Sequence, residues 1–242
     1  MSRTKVALIV GAGDGLGGAI ARKFAREGLT ACVVRRKKES LHKLVDEIEQ
    51  AGGKVVPYGA DFRDEDQAVN LIQEIESNVG PIDVAVHNIG ANVNFKIGDT
   101  SSRVYRKVWE MACLSGFHMG REVSKVMVQR QSGAVFFTGA TASLRGGSGF
   151  SAFSGAKFAL RSLSQSMARE LHPQGIHVAH VVCDGAIDTP WIQENFKHLV
   201  DKVGPDGIMD PDAVAENYWH LYNQPKCAWT QELDIRPYME KF

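Results

Sequence analysis

"VALIVGAGDGLGGAI", residues 6–20, joins five consecutive apolar residues to a turn that carries Gly11, Gly13, Gly15, Gly17 and Gly18. An apolar strand, a glycine-rich turn and then a helix form the opening unit of a dinucleotide-binding sheet. Glycine is needed there because a tight turn demands unusual dihedrals, and because any Cβ would keep the backbone from a bound pyrophosphate. Alone the pattern is weak, since a turn packed closely for structural reasons looks the same. Its weight comes from its place after the first strand and ahead of a helix.

The rest of the chain repeats the rhythm. Short apolar, β-branched runs recur at 31–34, 55–60, 82–88, 134–139 and 177–182, as a parallel sheet covered on both faces requires. Between them lie helical stripes: Leu41, Leu44, Val45 and Ile48 in one, and Ala156, Leu160, Leu163, Met167 and Leu171 in another. Alternating strands and helices with right-handed crossovers build an α/β fold, a single Rossmann-type doubly wound parallel sheet with helices on both faces. No Pro-, Gly- or Ser-rich linker and no internal repeat interrupts it, so residues 1–242 read as one dinucleotide-binding domain. The segment at 190–210 follows the sixth strand. Pockets in such sheets lie beyond the carboxyl ends of the strands, which makes this segment the expected substrate lid.

Composition narrows the partners. Twenty-eight basic residues balance twenty-eight acidic ones, so no global field favours nucleic acid or an anionic membrane, and a small molecule is the default partner. No stretch approaches membrane-spanning length, and VALIV is too brief for a signal-peptide core. Cys32, Cys113, Cys183 and Cys227 form no C-x-x-C pair; they read as reduced and buried, which places the protein in the cytoplasm. His177 and His180 lie three apart on one strand and face opposite sides, so no metal is expected. Trp109, Met111 and Met119 read as packing residues.

At the end of the second strand stand Arg35 and Arg36, then Lys37 and Lys38. A carboxylate at that place would accept hydrogen bonds from the ribose hydroxyls of NAD and repel a 2′-phosphate, whereas guanidinium groups bind one through charge-assisted bonds. Arg35 and Arg36, the first to leave the strand, therefore favour NADP over NAD, while the two lysines read as a solvated run.

With these motifs assembled, the chain resembles the short-chain dehydrogenase/reductase family over essentially its whole length. The turn matches T-G-x-x-x-G-x-G, with Val10 for Thr and Gly11, Gly15 and Gly17 in register; HNIG at 87–90 stands where N-N-A-G is usual, keeping Asn88 and Gly90; and CDGAIDTP at 183–190 matches P-G-x-x-x-T-P, with Asp184 for Pro. The resemblance implies a cofactor site of Gly11, Gly15, Leu16, Gly17, Arg35, Arg36, Asp61, Phe62, Asn88, Gly90, Lys157, Gly185, Ile187 and Thr189. Asp61 would meet the adenine amino group, Lys157 the ribose, and Ile187 and Thr189 the nicotinamide carboxamide and the pyrophosphate.

The same resemblance marks departures. Family chemistry uses a Tyr four residues ahead of the Lys, a Ser thirteen residues ahead of that Tyr, and an Asn in the preceding long helix. Here those places hold Phe153, Ala140 and Cys113, and only Lys157 is kept as a catalytic residue. Three readings remain open: an NADP-dependent oxidoreductase whose proton comes from another group or from water, or whose substrate is an activated alkene or imine; an NADP-binding sensor or regulatory subunit without turnover; and a structural partner in a mixed oligomer. Thr138, Thr141, Ser143, Ser151 and Ser154 are the hydroxyls nearby, and turn and cap chemistry is their competing role. Retention of Lys157 and of the residues after the sixth strand favours the oxidoreductase. The resemblance also implies a homo-oligomer, a dimer or tetramer, built on helices at about 102–126 and 152–172 and the last strand near 228–237. Small residues at Ser154, Gly155 and Ser162 leave room there for another helix.

Overall fold

The computed structural model describes residues 4–240. Seven strands form one sheet: β1 (Val6–Val10), β2 (Thr30–Arg35), β3 (Lys54–Gly59), β4 (Ile82–His87), β5 (Gly133–Thr138), β6 (Ile176–Cys183) and β7 (Glu232–Ile235). Their order across the sheet is β3-β2-β1-β4-β5-β6-β7, and every pairing is parallel. Because both faces are covered, the side chains of β1 and β6 are buried along their whole length. That is why these strands read as unbroken apolar runs instead of alternating ones.

One face is covered by α1 (Leu16–Arg26), α2 (His42–Gln50) and α9 (Pro211–Tyr222), the other by α3 (Glu65–Asn78), α5 (Ser115–Arg130) and α6 (Ser151–Leu171). The stripes expected from sequence lie inward: Leu41, Leu44 and Ile48 are buried in the first core, and Leu160, Met167 and Leu171 in the second. Three further helices, α4 (Ser102–Trp109), α7 (Pro190–Asn195) and α8 (Lys197–Val203), decorate the carboxyl edge of the sheet. The expected lid segment is α7 and α8, with a turn at Pro205–Gly207.

The strand order reverses between β1 and β4, since the chain runs outward from β1 through β2 to β3 before returning to β4. A crevice opens at such a switch point because the two flanking connections leave on opposite faces. Here the walls are the glycine turn after β1 and the residues after β4, and they touch: a Cβ on Gly11 would stand 2.6 Å from the Asn88 carbonyl oxygen, and the Gly11 φ of +92° is itself in the left-handed region.

Three sequence expectations change. Cys227 is exposed, in a short turn after α9, while Cys32, Cys113 and Cys183 are buried. The first long helix is interrupted by a π turn at Glu110–Leu114, and Met111 within that turn, expected to be a packing residue, lines the crevice wall. The room at Gly155 is taken within the chain, because a Cβ there would stand 2.7 Å from the Tyr105 hydroxyl of α4. Among the described residues no helix is long and apolar enough to cross a membrane.

Candidate active site

The crevice is a cavity of about 700 Å³. Its walls include Gly11, Gly15, Leu16, Gly17, Arg35, Arg36, Asp61, Phe62, Asn88 and Gly90, so the sequence-derived residues of the first four strands converge on one place. Lys157, Gly185, Ile187 and Thr189 lie outside this lining, although Thr189 adjoins it: a Cβ on Gly15 would stand 2.9 Å from the Thr189 methyl group.

Local sequence explains why the cavity suits a phosphate-bearing ligand. Gly17 allows the loop to fold back on itself, since a Cβ there would stand 2.3 Å from the Gly11 carbonyl oxygen. The amino end of α1 is capped by Gly15, which has no side chain to offer, and no acidic residue occupies its first turn. Its free amide groups and the positive end of the helix dipole are left for an anion. At the rim, the Arg35 guanidinium lies beside Gly13 and its Nη1 donates to the Ser40 carbonyl oxygen at 3.3 Å. These features fit a dinucleotide: a Cβ-free cradle, an uncapped helix end and cations at the far rim.

Asp61 does not present a free carboxylate. Oδ1 accepts from the Arg63 backbone N–H at 3.1 Å and from its Nε at 2.9 Å, and Oδ2 accepts from Nε at 3.1 Å and from Nη2. Hydrogen bonds from Arg63 hold the carboxyl below its usual range. Arg63 also lines the cavity, and sequence reasoning passed it over. The available sign was a basic residue two positions after the acidic one.

Beyond the carboxyl ends of β4, β5 and β6, Lys157 is only 3% exposed. Its Nζ donates to the Thr138 carbonyl oxygen at 2.8 Å and to the Ile89 carbonyl oxygen at 3.2 Å, the latter inside the HNIG turn. Burial pushes this ammonium down to about 8, and the Cys183 and Cys113 thiols act weakly the other way. Phe153 is buried in an apolar cluster with Val108, Ala112, Ala142, Ala152 and Ala156, and its ring centroid is 5.9 Å from the Lys157 Nζ. Cys113 is buried nearby, and burial pushes its thiol up to about 11.

The five candidate hydroxyls have other positions. Thr138 Oγ1 pairs with the Tyr218 hydroxyl at 2.7 Å, Thr141 Oγ1 donates to Asp184 Oδ1 at 2.5 Å, and Ser143 Oγ accepts from the Ala140 N–H at 3.1 Å. Ser151 and Ser154 bury their Oγ atoms without a partner among the described residues. His87, to which sequence gave no role, is fully buried; its Nε2 meets Ser115 Oγ at 2.7 Å, and burial, aided by the Lys157 charge, holds the ring neutral with a pKa of about 3. His177 and His180 face opposite sides: His177 stacks on Trp229, and His180 Nδ1 meets Glu232 Oε2 at 3.0 Å.

Asp184 anchors a buried charge network beyond the end of β6. It is fully buried, and besides Thr141 its carboxylate accepts from Arg145 Nη1 at 3.1 Å and Nη2 at 3.3 Å and pairs with Arg236 Nη1 at 3.1 Å. The backbone N–H of Asp184 donates to the Ile235 carbonyl oxygen at 2.8 Å, and Pro237 packs against Gly185. The loop after β5, the loop after β6 and the segment after β7 are thereby tied together.

Burial of Lys157 predicts a pH dependence. Its folded pKa of about 8 lies below the ordinary lysine value of 10.5. Between those two values the unfolded chain binds the extra proton, so stability rises with pH across that window, by about 3 kcal/mol for this group. Below it both states are protonated and the burial penalty is fully present. Chemical unfolding of wild type and Lys157→Met from pH 7 to 10.5 should show the wild type gaining that amount relative to the variant. Parallel curves would mean that Lys157 is not desolvated.

Residues 5–199 match the family model described as short chain dehydrogenase. Among curated proteins, ketoacyl reductase HetN of Nostoc is 29% identical over 211 residues, covering 87% of this chain and 72% of the relative. Among solved structures, a short-chain dehydrogenase from Rhodopseudomonas palustris superposes with a TM-score of 0.84 at 48% identity, covering 98% of this chain and 100% of that one. Actinorhodin polyketide ketoreductase with NADPH superposes with a TM-score of 0.90 at 24% identity, over 99% of this chain and 98% of that one, a likeness of fold.

Proposed function

The chain belongs to the short chain dehydrogenase family, and from that premise we propose that it binds NADP between β1 and β4 and exchanges hydride with a small molecule beyond the ends of β5 and β6. The observation that carries this reading is the cavity wall, where a Cβ-free loop and an uncapped helix end face two rim arginines. When bound, the reduced dinucleotide supplies the hydride. The amides of Gly15, Leu16 and Gly17 would hold the pyrophosphate, Arg35 and Arg36 the 2′-phosphate, and Phe62 the adenine. Asn88, Gly90 and Lys157 would meet the ribose side, and Ile187 and Thr189 the carboxamide and the pyrophosphate, with Gly185 beside them.

Phe153, Ala140 and Cys113 define what this site does least well. A positioned acid contributes about 10²- to 10⁴-fold to carbonyl reduction, and a phenyl ring in an apolar cluster donates no proton. An activated alkene or an imine, whose proton comes from water or is already in place, suits the pocket better than a ketone. The 190–210 segment would act as its lid. The same apolar cluster favours a second reading, a silent NADP-binding regulatory subunit. Exposed Trp109, Phe117 and Phe158 on the α4 to α6 surface support a homo-oligomer.

Purified protein titrated with NADPH should show saturable binding, and a panel of carbonyl, alkene and imine compounds should yield steady NADPH oxidation with an alkene or imine. Binding with no oxidation by any compound supports the regulatory subunit. Absence of binding removes both readings.

A further inference from the structure

Resting on the NADP reading above, we infer that Arg63 is a positioning residue for cofactor choice: by occupying the Asp61 carboxylate, it leaves the Arg36 guanidinium uncommitted at the rim where a 2′-phosphate would sit.

Asp61 is one of two acidic residues in the cavity lining, with Asp14 of the glycine turn, and is held there by the Ala60 N–H, which donates to the Arg35 carbonyl oxygen at 3.0 Å. An ionised carboxylate has about four acceptor sites, and Arg63 fills them with its backbone N–H, its Nε to both oxygens and its Nη2. Such a fork-to-carboxylate contact is the strongest kind available to a partly exposed pair. Arg36 is close enough for its charge to act on the Asp61 carboxyl in the same direction as Arg63. Yet Arg36 itself has no hydrogen bond and no ion pair among the described residues, although it lines the cavity. The two arginines compete for one carboxylate and Arg63 holds it. Without Arg63, Asp61 would draw Arg36 toward itself and set an uncompensated negative charge beside the phosphate.

A local role is the competing account. Asp61 also closes the turn into α3, where the Asp64 N–H donates to the Asp61 carbonyl oxygen at 2.9 Å, so the pair could do no more than brace that turn. Loss of a brace would weaken every dinucleotide equally; loss of charge compensation weakens only the 2′-phosphorylated one. Dissociation constants for NADPH and NADH, read by nucleotide fluorescence at low ionic strength, separate the two without reference to turnover. Arg63→Gln should raise the NADPH constant by about tenfold and the NADH constant by less than about twofold, as expected of one unmasked charge near a phosphate. Asp61→Asn combined with Arg63→Gln should return the ratio of the NADPH to the NADH constant to within about threefold of wild type, because the charge to be masked is then gone and any lost adenine contact weakens both nucleotides alike.

Equal losses for both nucleotides after Arg63→Gln, no loss for either, or a double variant whose NADPH-to-NADH ratio stays at that of Arg63→Gln would each overturn the inference. If the wild type binds neither nucleotide, the reading of the cavity has failed as well. If it binds both and Arg63→Gln changes nothing, only the role of Arg63 has failed.

Discussion

Phe153→Tyr combined with Ala140→Ser should raise ketone reduction about 10²- to 10⁴-fold above the wild-type level. That is the usual contribution of a positioned proton donor, and the serine adds a hydrogen bond to the developing oxyanion. The surroundings favour the gain. The Phe153 ring lies 5.9 Å from the Lys157 Nζ, and a cation at that range would lower the pKa of a new phenol toward neutrality. Ala140 packs against the same apolar cluster as Phe153, so both new hydroxyls would enter one place. NADPH consumption with a panel of ketones measures the effect. A stable double variant that binds NADPH and shows no gain would mean that this pocket does not hold a carbonyl in line with the hydride.

Asp184→Ala should cost about 3–5 kcal/mol of folding stability, the range for removing one partner of a buried charge network. The carboxylate is fully buried, and its loss would leave the Thr141 hydroxyl and two guanidinium groups facing a cavity. Asp234 and Glu240 also pair with these arginines, but both are partly exposed whereas Asp184 is fully buried. Urea unfolding of both proteins at neutral pH gives the difference directly. A loss below about 1 kcal/mol would show that water reaches the arginines and that the network is peripheral to stability.

The fold was legible because both of its signals are local. Apolar runs of strand length and stripes of helical period survive any tertiary detail, and a doubly wound sheet needs little else. The place of the glycine turn and of Arg35 and Arg36 on the cavity wall was legible for the same reason, since each is positioned by the segment that contains it. What escaped depends on non-local placement. A regular helical period assigns Met111 to packing, whereas it lies in the π turn at Glu110–Leu114 and lines the crevice. Cys227 has apolar neighbours in sequence but sits in an exposed turn. Asp184 stood out only as a residue replacing proline; its partners come from Arg145 and Arg236, which no spacing rule connects. Arg63 is the exception, a local pair that could have been read from its distance to Asp61.

The tie between Asp184 and Arg236 also bears on how the chain is made. Synthesis runs from the amino end, so β6 and its carboxylate leave the ribosome well before the arginine that completes the pairing. Until β7 emerges, the sheet lacks its last strand and a group destined for the interior must stay hydrated. Nascent chains halted ahead of residue 236 should accordingly remain open to protease at the loops after β5 and β6, and emergence of β7 with Arg236 becomes the event that seals this end of the molecule.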